Sequence, residues 1–282
     1  MKKLLLLVIL IISALPAASL SAAEPSTPLR IFLRGGPKNH GAAGNTLHDS
    51  TVWVKEWLPL LTARGAQVDG AVVSTPPTAE QLENADVLVM FAANAGNIAS
   101  EDRANLERFL KRGGGIITFH DAILSSDPLW FKTIVGGAWD IGRPVLKAPR
   151  YFEGTNTLHI VNPEHPITQG ASSFTIRDEI YWNLHLMPNI QVLMASMQPY
   201  RPPRGAEPPP EPPVQNLIPQ MWVYENQLEG GKPYRAFVSI LGHEFPTYAA
   251  PHVRGLLFRA IAWVGHREAD LLCTPEEIAG LK

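Results

Sequence analysis

Residues 100–121 read SEDRANLERFLKRGGGIITFHD. The first part is a helix over residues 99–112, in which Ser100 is placed to cap the start, Leu106, Phe109 and Leu110 share an inward face, and Gly113 ends the run. A buried strand over residues 116–119 follows at once and stops at His120-Asp121. Helix, glycine stop and short apolar strand together are one unit of a sheet covered by helices. The same alternation extends upstream. Residues 29–33 form a first strand, and Asp49 then opens a helix that carries Val52, Trp53, Glu56, Trp57, Leu60 and Leu61 at helical spacing, with Pro59 set to kink it. A strand over residues 67–73, a short helix over residues 78–84 started by Thr78, and a strand over residues 86–91 complete the first half. The expected fold is α/β: a doubly wound, largely parallel sheet with helices on both faces.

From Tyr151 the pattern changes to strands of alternating character, over residues 157–161, 175–181, 191–195, 221–225 and 234–241. A helix over residues 251–264 repeats Val253, Leu256, Leu257, Ala260, Ile261 and Val264 at helical spacing. Residues 199–213 hold eight prolines in fifteen positions. So many missing backbone donors cannot sustain a ladder, which makes this stretch a polyproline-like surface insertion in a single domain over residues 24–282.

Of 282 residues, 45% are hydrophobic, 24 are basic and 26 acidic, for a formal charge of −2. No basic field is available to neutralise phosphates, so nucleic acid is not an expected partner. Met1-Lys2-Lys3, the apolar residues 4–15 and the small residues Ser21-Ala22-Ala23 form an export signal over residues 1–23, with cleavage near Ala23. No later apolar run approaches the roughly 18 residues of a membrane helix, so no membrane insertion is expected after cleavage. Cys273 is the single cysteine and forms no internal disulfide, which leaves the exported chain to rest on its hydrophobic core.

Ligands of an open parallel sheet bind beyond the carboxyl ends of its strands. Here those positions are rich in histidine and acid. The first strand leads through Gly35-Gly36 to His40, with His48 and Asp49 behind it. The third ends at Asn94, the fourth at His120-Asp121, and the last long strand at Gly242-His243-Glu244. Asp178-Glu179, just before Tyr181 and His185, adds an acidic pair. His159, His165 and His252 fall elsewhere and read as structural, His165 as part of a turn before Pro166. Imidazoles and carboxylates from separate strand ends can hold a divalent ion such as zinc, although no local zinc motif is present. They can equally perform metal-free proton transfer. Esterase elbow, Walker loop and dinucleotide fingerprint are all missing, and Gly113-Gly114-Gly115 precedes a strand instead of opening a helix. Trp130, Trp139, Trp182 and Trp222 offer flat faces for a sugar ring, with Trp130 also read as part of a core helix.

Several stretches resemble the trehalose-utilization ThuA-like family. They are Gly113-Gly114-Gly115-Ile116-Ile117-Thr118-Phe119-His120, His165-Pro166-Ile167-Thr168-x-Gly170, Phe174 with Asp178-Glu179-x-Tyr181, Pro219-x-x-Trp222, Leu241-Gly242-His243, and Arg259-Ala260-Ile261-Ala262-Trp263, joined by the His40 to His48 loop. The resemblance implies a class I glutamine amidotransferase-like fold in which His120 stands where those enzymes carry a nucleophilic Cys, so amidotransfer is not expected. Where the family often has Gly-Lys-Gly-Arg before its last strand, this chain has Gly230-Gly231-Lys232-Pro233-Tyr234-Arg235.

The expectation is an exported protein, periplasmic or extracellular, acting on a small-molecule carbohydrate or glycoside derivative as a hydrolase, lyase or isomerase. His120, Asp121 and Glu179 are the expected catalytic residues, Glu179 moving the proton and Asp121 orienting His120. Asn94, Asp178, Tyr181, Trp222 and Glu244 are expected substrate contacts. His40, His48, His120 and His243 are the expected metal set. The alternative is a non-catalytic sugar-binding protein that keeps the pocket without the amidotransferase Cys. For the leader, amino-terminal sequencing of the soluble exported fraction should find a start near Glu24, and an intact Met1 chain recovered in the cytoplasm would refute this.

Overall fold

The computed structural model describes residues 27–42, 44–93, 95–142, 148–199 and 216–282. The leader and, apart from Pro199, the Pro-rich stretch lie outside the described residues, as does Asn94. The chain runs β1 (Arg30–Gly35), α1 (Ser50–Thr62), β2 (Gln67–Val72), α2 (Ala79–Glu83), β3 (Val87–Phe91), α3 (Arg103–Lys111) and β4 (Gly115–Phe119). It continues through β5 (Leu124–Ser125), α4 (Pro128–Val135), β6 (Gly137–Asp140), β7 (Arg150–Ile160), β8 (Phe174–Trp182), β9 (His185–Leu186), β10 (Gln191–Met197) and β11 (Leu217–Gln227). β12 (Pro233–Ser239), α5 (Phe245–Ala249), α6 (Pro251–Val264) and α7 (Pro275–Gly280) close it.

Nine strands form one sheet in the order β2-β1-β3-β4-β12-β11-β10-β7-β8. The half from β2 to β12 is parallel, and the rest is antiparallel. β3 and β4 are buried at every residue, as strands covered on both faces must be. One face carries α1 and α6, whose Trp53, Trp57, Leu256, Leu257 and Ile261 pack with Phe91 and Phe119. The other carries α2, α3 and α4 through Leu82, Leu106, Phe109, Phe131 and Ile134. The chain thus winds both ways from β1, giving the doubly wound α/β architecture that the strand-helix alternation implies.

Three local expectations are corrected. The central helix starts at Arg103, not residue 99. Residues 99–102 form a turn closed by Asp102 N donating to the Ala99 carbonyl, and Ser100 Oγ donates to Glu101 instead of capping. The strand expected from residue 157 begins at Arg150, because β7 pairs with β8 along almost its whole length. Its first residues are largely solvent-facing and so lack the apolar alternation that marks a half-buried strand. Trp130 does lie on a helix, but it is half-buried under the Arg103 guanidinium, 4.0 Å from its ring centroid, and not in the core.

The carboxyl-terminal helices are clamped to α1 by one carboxylate. Glu277, with its side chain 1% exposed, accepts two hydrogen bonds from Arg64, at 2.6 and 2.9 Å, and a further one from Arg254. Burial opposes its ionisation, but the hydrogen bonds from Arg64, the Thr274 backbone and Arg254 outweigh that and hold its pKa below the usual glutamate value. Removing one partner from a buried pair leaves the other charge uncompensated. Glu277→Ala should therefore lower unfolding free energy by about 3 kcal/mol in urea titrations with an unchanged slope. A change under about 1 kcal/mol would show the clamp to be energetically idle.

Candidate functional site

The carboxyl edge of the parallel half is where the histidines meet. β4 ends in a sharp bend at His120, whose φ of +52° is left-handed, a conformation that costs a non-glycine residue energy and marks a sharply turned elbow. The bend drives the imidazole into a fully buried position, where Nδ1 donates to the Ile240 carbonyl at 2.8 Å. Nε2 is thereby left to face the site. His48 sits immediately before Asp49, the side-chain cap of α1, and its backbone N donates to the His243 carbonyl at 3.0 Å. Leu47 bridges Glu244 in the same way, so the loop after β1 is zipped to the loop after β12. His243 follows Gly242, whose φ of +131° and whose approach to the Tyr248 hydroxyl leave no space for a Cβ.

The three rings converge. His48 Nε2 lies 3.1 Å from His120 Nε2 and 3.0 Å from His243 Nδ1. Glu179 reaches them from β8, with Oε2 3.6 Å from His120 Nε2 and Oε1 3.6 Å from His243 Nδ1. The Tyr181 hydroxyl stands 3.1 Å from His120 Nε2 and also hydrogen-bonds Glu179. Burial, partly offset by Asp121, pushes the His120 pKa down to about 3, and burial together with His48 takes His243 down to about 4. Both rings are therefore neutral at pH 7 and present lone pairs. Burial moves Glu179 the other way, up to about 7, against the hydrogen bond from Tyr181. Its carboxyl is thus poised for proton transfer near neutrality.

Each expected site residue apart from Asn94, which lies outside the described residues, now has a place. His48, His120, His243, Glu179 and Tyr181 are assembled together. His40 is exposed and stacks on His48, with centroids 4.9 Å apart, while the closely clustered nitrogens are those of His48, His120 and His243. Asp121 orients His48 and not His120: its Oδ2 lies 3.0 Å from His48 Nδ1, while the Ile240 carbonyl fixes His120. That approach is off the hydrogen-bonding direction, so the interaction is electrostatic, and neither buried Asp121 oxygen makes a hydrogen bond to a described residue. Asp178 is not a substrate contact. It is buried and accepts from the backbone of Glu179, Gly242 and His243 and from Thr247 Oγ1, while burial raises its pKa to about 6. Trp222 is likewise a core residue, fully buried with Nε1 donating to the Val135 carbonyl, because its side of β11 faces α4. Glu244 takes part through its backbone bridge to Leu47. Among the four tryptophans considered for stacking, Trp139 is beside the site, its ring 4.8 Å from that of Tyr181. His165 is the turn residue expected, accepting from Ile167 N and packing on Trp263.

Three contributors escaped the sequence reading. Glu153 lies opposite Glu179 in the β7–β8 pairing and groups with Glu179 and His243, but it precedes the strand start inferred from hydropathy. Gln220, fully buried, holds both backbone groups of Tyr181 through its side-chain amide. Asn39 places Oδ1 3.3 Å from His48 Nδ1. An alternating-strand pattern that kept Gln220 inward was the one available signal.

The raised Glu179 pKa has a consequence for stability. A carboxyl that titrates at 4.5 when unfolded and about 7 when folded favours the folded state fully below pH 4.5, and that contribution is lost as pH rises through 7. The change amounts to at most roughly 3 kcal/mol. In chelator-treated protein, wild type should lose about that much more stability than Glu179→Gln between pH 4.5 and 8 in urea unfolding. Parallel pH profiles for the two would refute the assignment.

The ThuA family model, described as trehalose utilisation, matches residues 40–264, a span that includes every clustered residue. A ThuA-like protein from Bacteroides uniformis ATCC 8492 superimposes with a TM-score of 0.58 at 18% identity, covering 86% of this chain and 94% of the other. A second, from Parabacteroides merdae ATCC 43184, gives 0.59 at 16% identity, covering 85% and 90%. At these identities the two structures speak for the fold alone. No curated protein matches the chain. With the family match extending over most of its length, on a fold shared with ThuA-like structures, the chain belongs to the ThuA family.

Proposed function

We propose that the protein is an exported enzyme acting on a carbohydrate derivative, and that His48, His120 and His243 hold a catalytic divalent metal ion. One observation carries the metal assignment. His120 has committed Nδ1 to the Ile240 carbonyl, so its Nε2 lone pair faces His48 Nε2 at 3.1 Å, and His48 Nε2 faces His243 Nδ1 at 3.0 Å. Lone pairs at that separation repel unless a cation or proton stands among them. Two nitrogens on a tetrahedral zinc at about 2.05 Å lie about 3.3 Å apart, close to the spacing here. The outer contacts also suit a metal centre, in which ligating imidazoles are held by a carbonyl or carboxylate on their other nitrogen. Ile240 does this for His120 and the Asn39 side-chain carbonyl for His48, with the Asp121 carboxylate 3.0 Å from the same nitrogen as an electrostatic neighbour.

Three histidines leave a coordination position for water or for a sugar oxygen. An ion there would polarise a carbonyl or hydroxyl of the substrate. Glu179, in contact with two of the rings and with Tyr181, takes up or returns the proton of the reacting group, and Tyr181 donates to it when it is ionised. The carbohydrate class is supported by the family's description, trehalose utilisation. The second reading, metal-free acid-base catalysis, is favoured by Glu179 alone, whose pKa near 7 suits it to that work without an ion.

Metal analysis of gently purified protein separates the two. Wild type should carry a stoichiometric divalent ion, and His120→Ala and His243→Ala should lose it. On a panel of sugars and keto-sugars, Glu179→Gln should lower turnover by about 10²- to 10⁴-fold. A wild type without metal whose turnover ignores a chelator would leave the metal-free reading standing. Sugar binding with no product from any panel member would instead favour a binding protein.

A further inference from the structure

A cavity opens at the carboxyl ends of β1, β2 and β3, about 330 Å3 in volume and lined by Arg34, Gly36, Asn39, Ser74, Ala92 and Asn97 among others. It occupies the switch point of the sheet, where β1 is followed by β2 on one side and β3 on the other. Its size lies within the range of small-molecule sites. Gly36 and Ala92 pack closely in its wall, since a Cβ on Gly36 would meet the Ala92 side chain at 2.6 Å.

Arg34 is the charged group of this cavity. It is 5% exposed, and no described carboxylate pairs with it. Nε and Nη2 donate to the Ser74 and Thr75 carbonyls at 3.1 to 3.3 Å, which pins the guanidinium in the wall. Nη1, also buried, makes no hydrogen bond to any described residue. Burial without a compensating charge depresses the Arg34 pKa. A role confined to holding the loop after β2 accounts for Nε and Nη2 but leaves Nη1 and the positive charge without use. An unpaired buried cation is costly, and the cost is relieved by an oxyanion, which guanidinium recognises better than any other side chain does. Asn39 lines the cavity and also approaches His48 Nδ1 at 3.3 Å, so this space adjoins the histidine centre.

We propose that the Arg34 cavity is an oxyanion subsite that takes a carboxylate or phosphate group of a small ligand on the Arg34 guanidinium. Assigning that group to the substrate itself, as a sugar acid or sugar phosphate, rests on the function proposed above; anion binding at Arg34 does not. A neutral disaccharide would leave the subsite without its natural occupant.

The test titrates chelator-treated full chain with inorganic phosphate and with acetate, followed by calorimetry, on wild type and three variants checked for folding by circular dichroism. Saturable binding is expected in wild type. It should weaken by at least about tenfold in Arg34→Gln, the loss expected for one hydrogen bond to a charged group. Ser74→Glu keeps Arg34 and places a competing carboxylate at the cavity wall; it should weaken binding similarly, so a misfolded Arg34 variant does not leave the question open. His243→Ala should bind as wild type does. Tighter phosphate than acetate identifies a phosphate subsite, and the reverse a carboxylate subsite. No saturable binding in wild type, equal binding in Ser74→Glu, or loss in His243→Ala would overturn the proposal. Because metal is removed throughout, failure of the metal centre leaves the outcome readable.

Discussion

One buried carboxylate holds the two halves of this molecule in register. Asp178 lies on β8, in the antiparallel half, yet its oxygens accept from the Gly242 and His243 amides and from the Thr247 hydroxyl, all beyond the end of β12 in the parallel half. It accepts also from the Glu179 amide beside it. Four donors make such burial tolerable. Glu179 and His243 come together because of this knot: one is the next residue on β8, the other the residue whose amide is bound. Gly242 is part of the same constraint, since its left-handed backbone turns the chain under the Tyr248 hydroxyl and presents that amide.

The site built on this knot is electrostatically divided. Burial keeps His120 and His243 neutral and keeps Glu179 near half-protonation at pH 7, so little charge is buried among these groups. The facing nitrogens of the three rings stay close together there, His48 Nε2 lying 3.1 Å from His120 Nε2 and 3.0 Å from His243 Nδ1. Asp121, buried and without a hydrogen bond to a described residue, supplies negative charge on the outer side of His48. On the far side of Asn39 the sign reverses, with Arg34 buried and uncompensated. A ligand spanning both would meet an electron-donor cluster at one end and a cation at the other.

The residues near the strand ends carry different jobs that their chemical type alone does not reveal. Asp178 and Asp121 are both acids within a few residues of a strand end. One is saturated with amide donors and serves architecture, whereas the other faces an imidazole and serves the site. Trp222 and Trp139 divide in the same fashion, one sealed under α4 and the other against Tyr181.

What the sequence determined by itself was the doubly wound, largely parallel architecture and the edge at which chemistry gathers. Apolar runs such as Ile116-Ile117-Thr118-Phe119, punctuated by Gly113 and by the Asp49 cap, encode covered parallel strands through local geometry and burial, and a parallel sheet has one carboxyl edge. His48, His120 and His243 were legible as candidates for that reason. Only the tertiary structure decided which of them meet, because convergence depends on loop paths and on partners 61 to 195 residues apart in sequence. It left the His40 nitrogens outside the close cluster, set Asp121 beside His48, and turned Asp178 into a support. It also drew Glu153 and Gln220 into the site through β7–β8 pairing and an amide clasp. Hydrophobic periodicity reports burial along one element at a time, whereas distances between side chains on different elements are set by sheet register and by hydrogen bonds that periodicity does not contain.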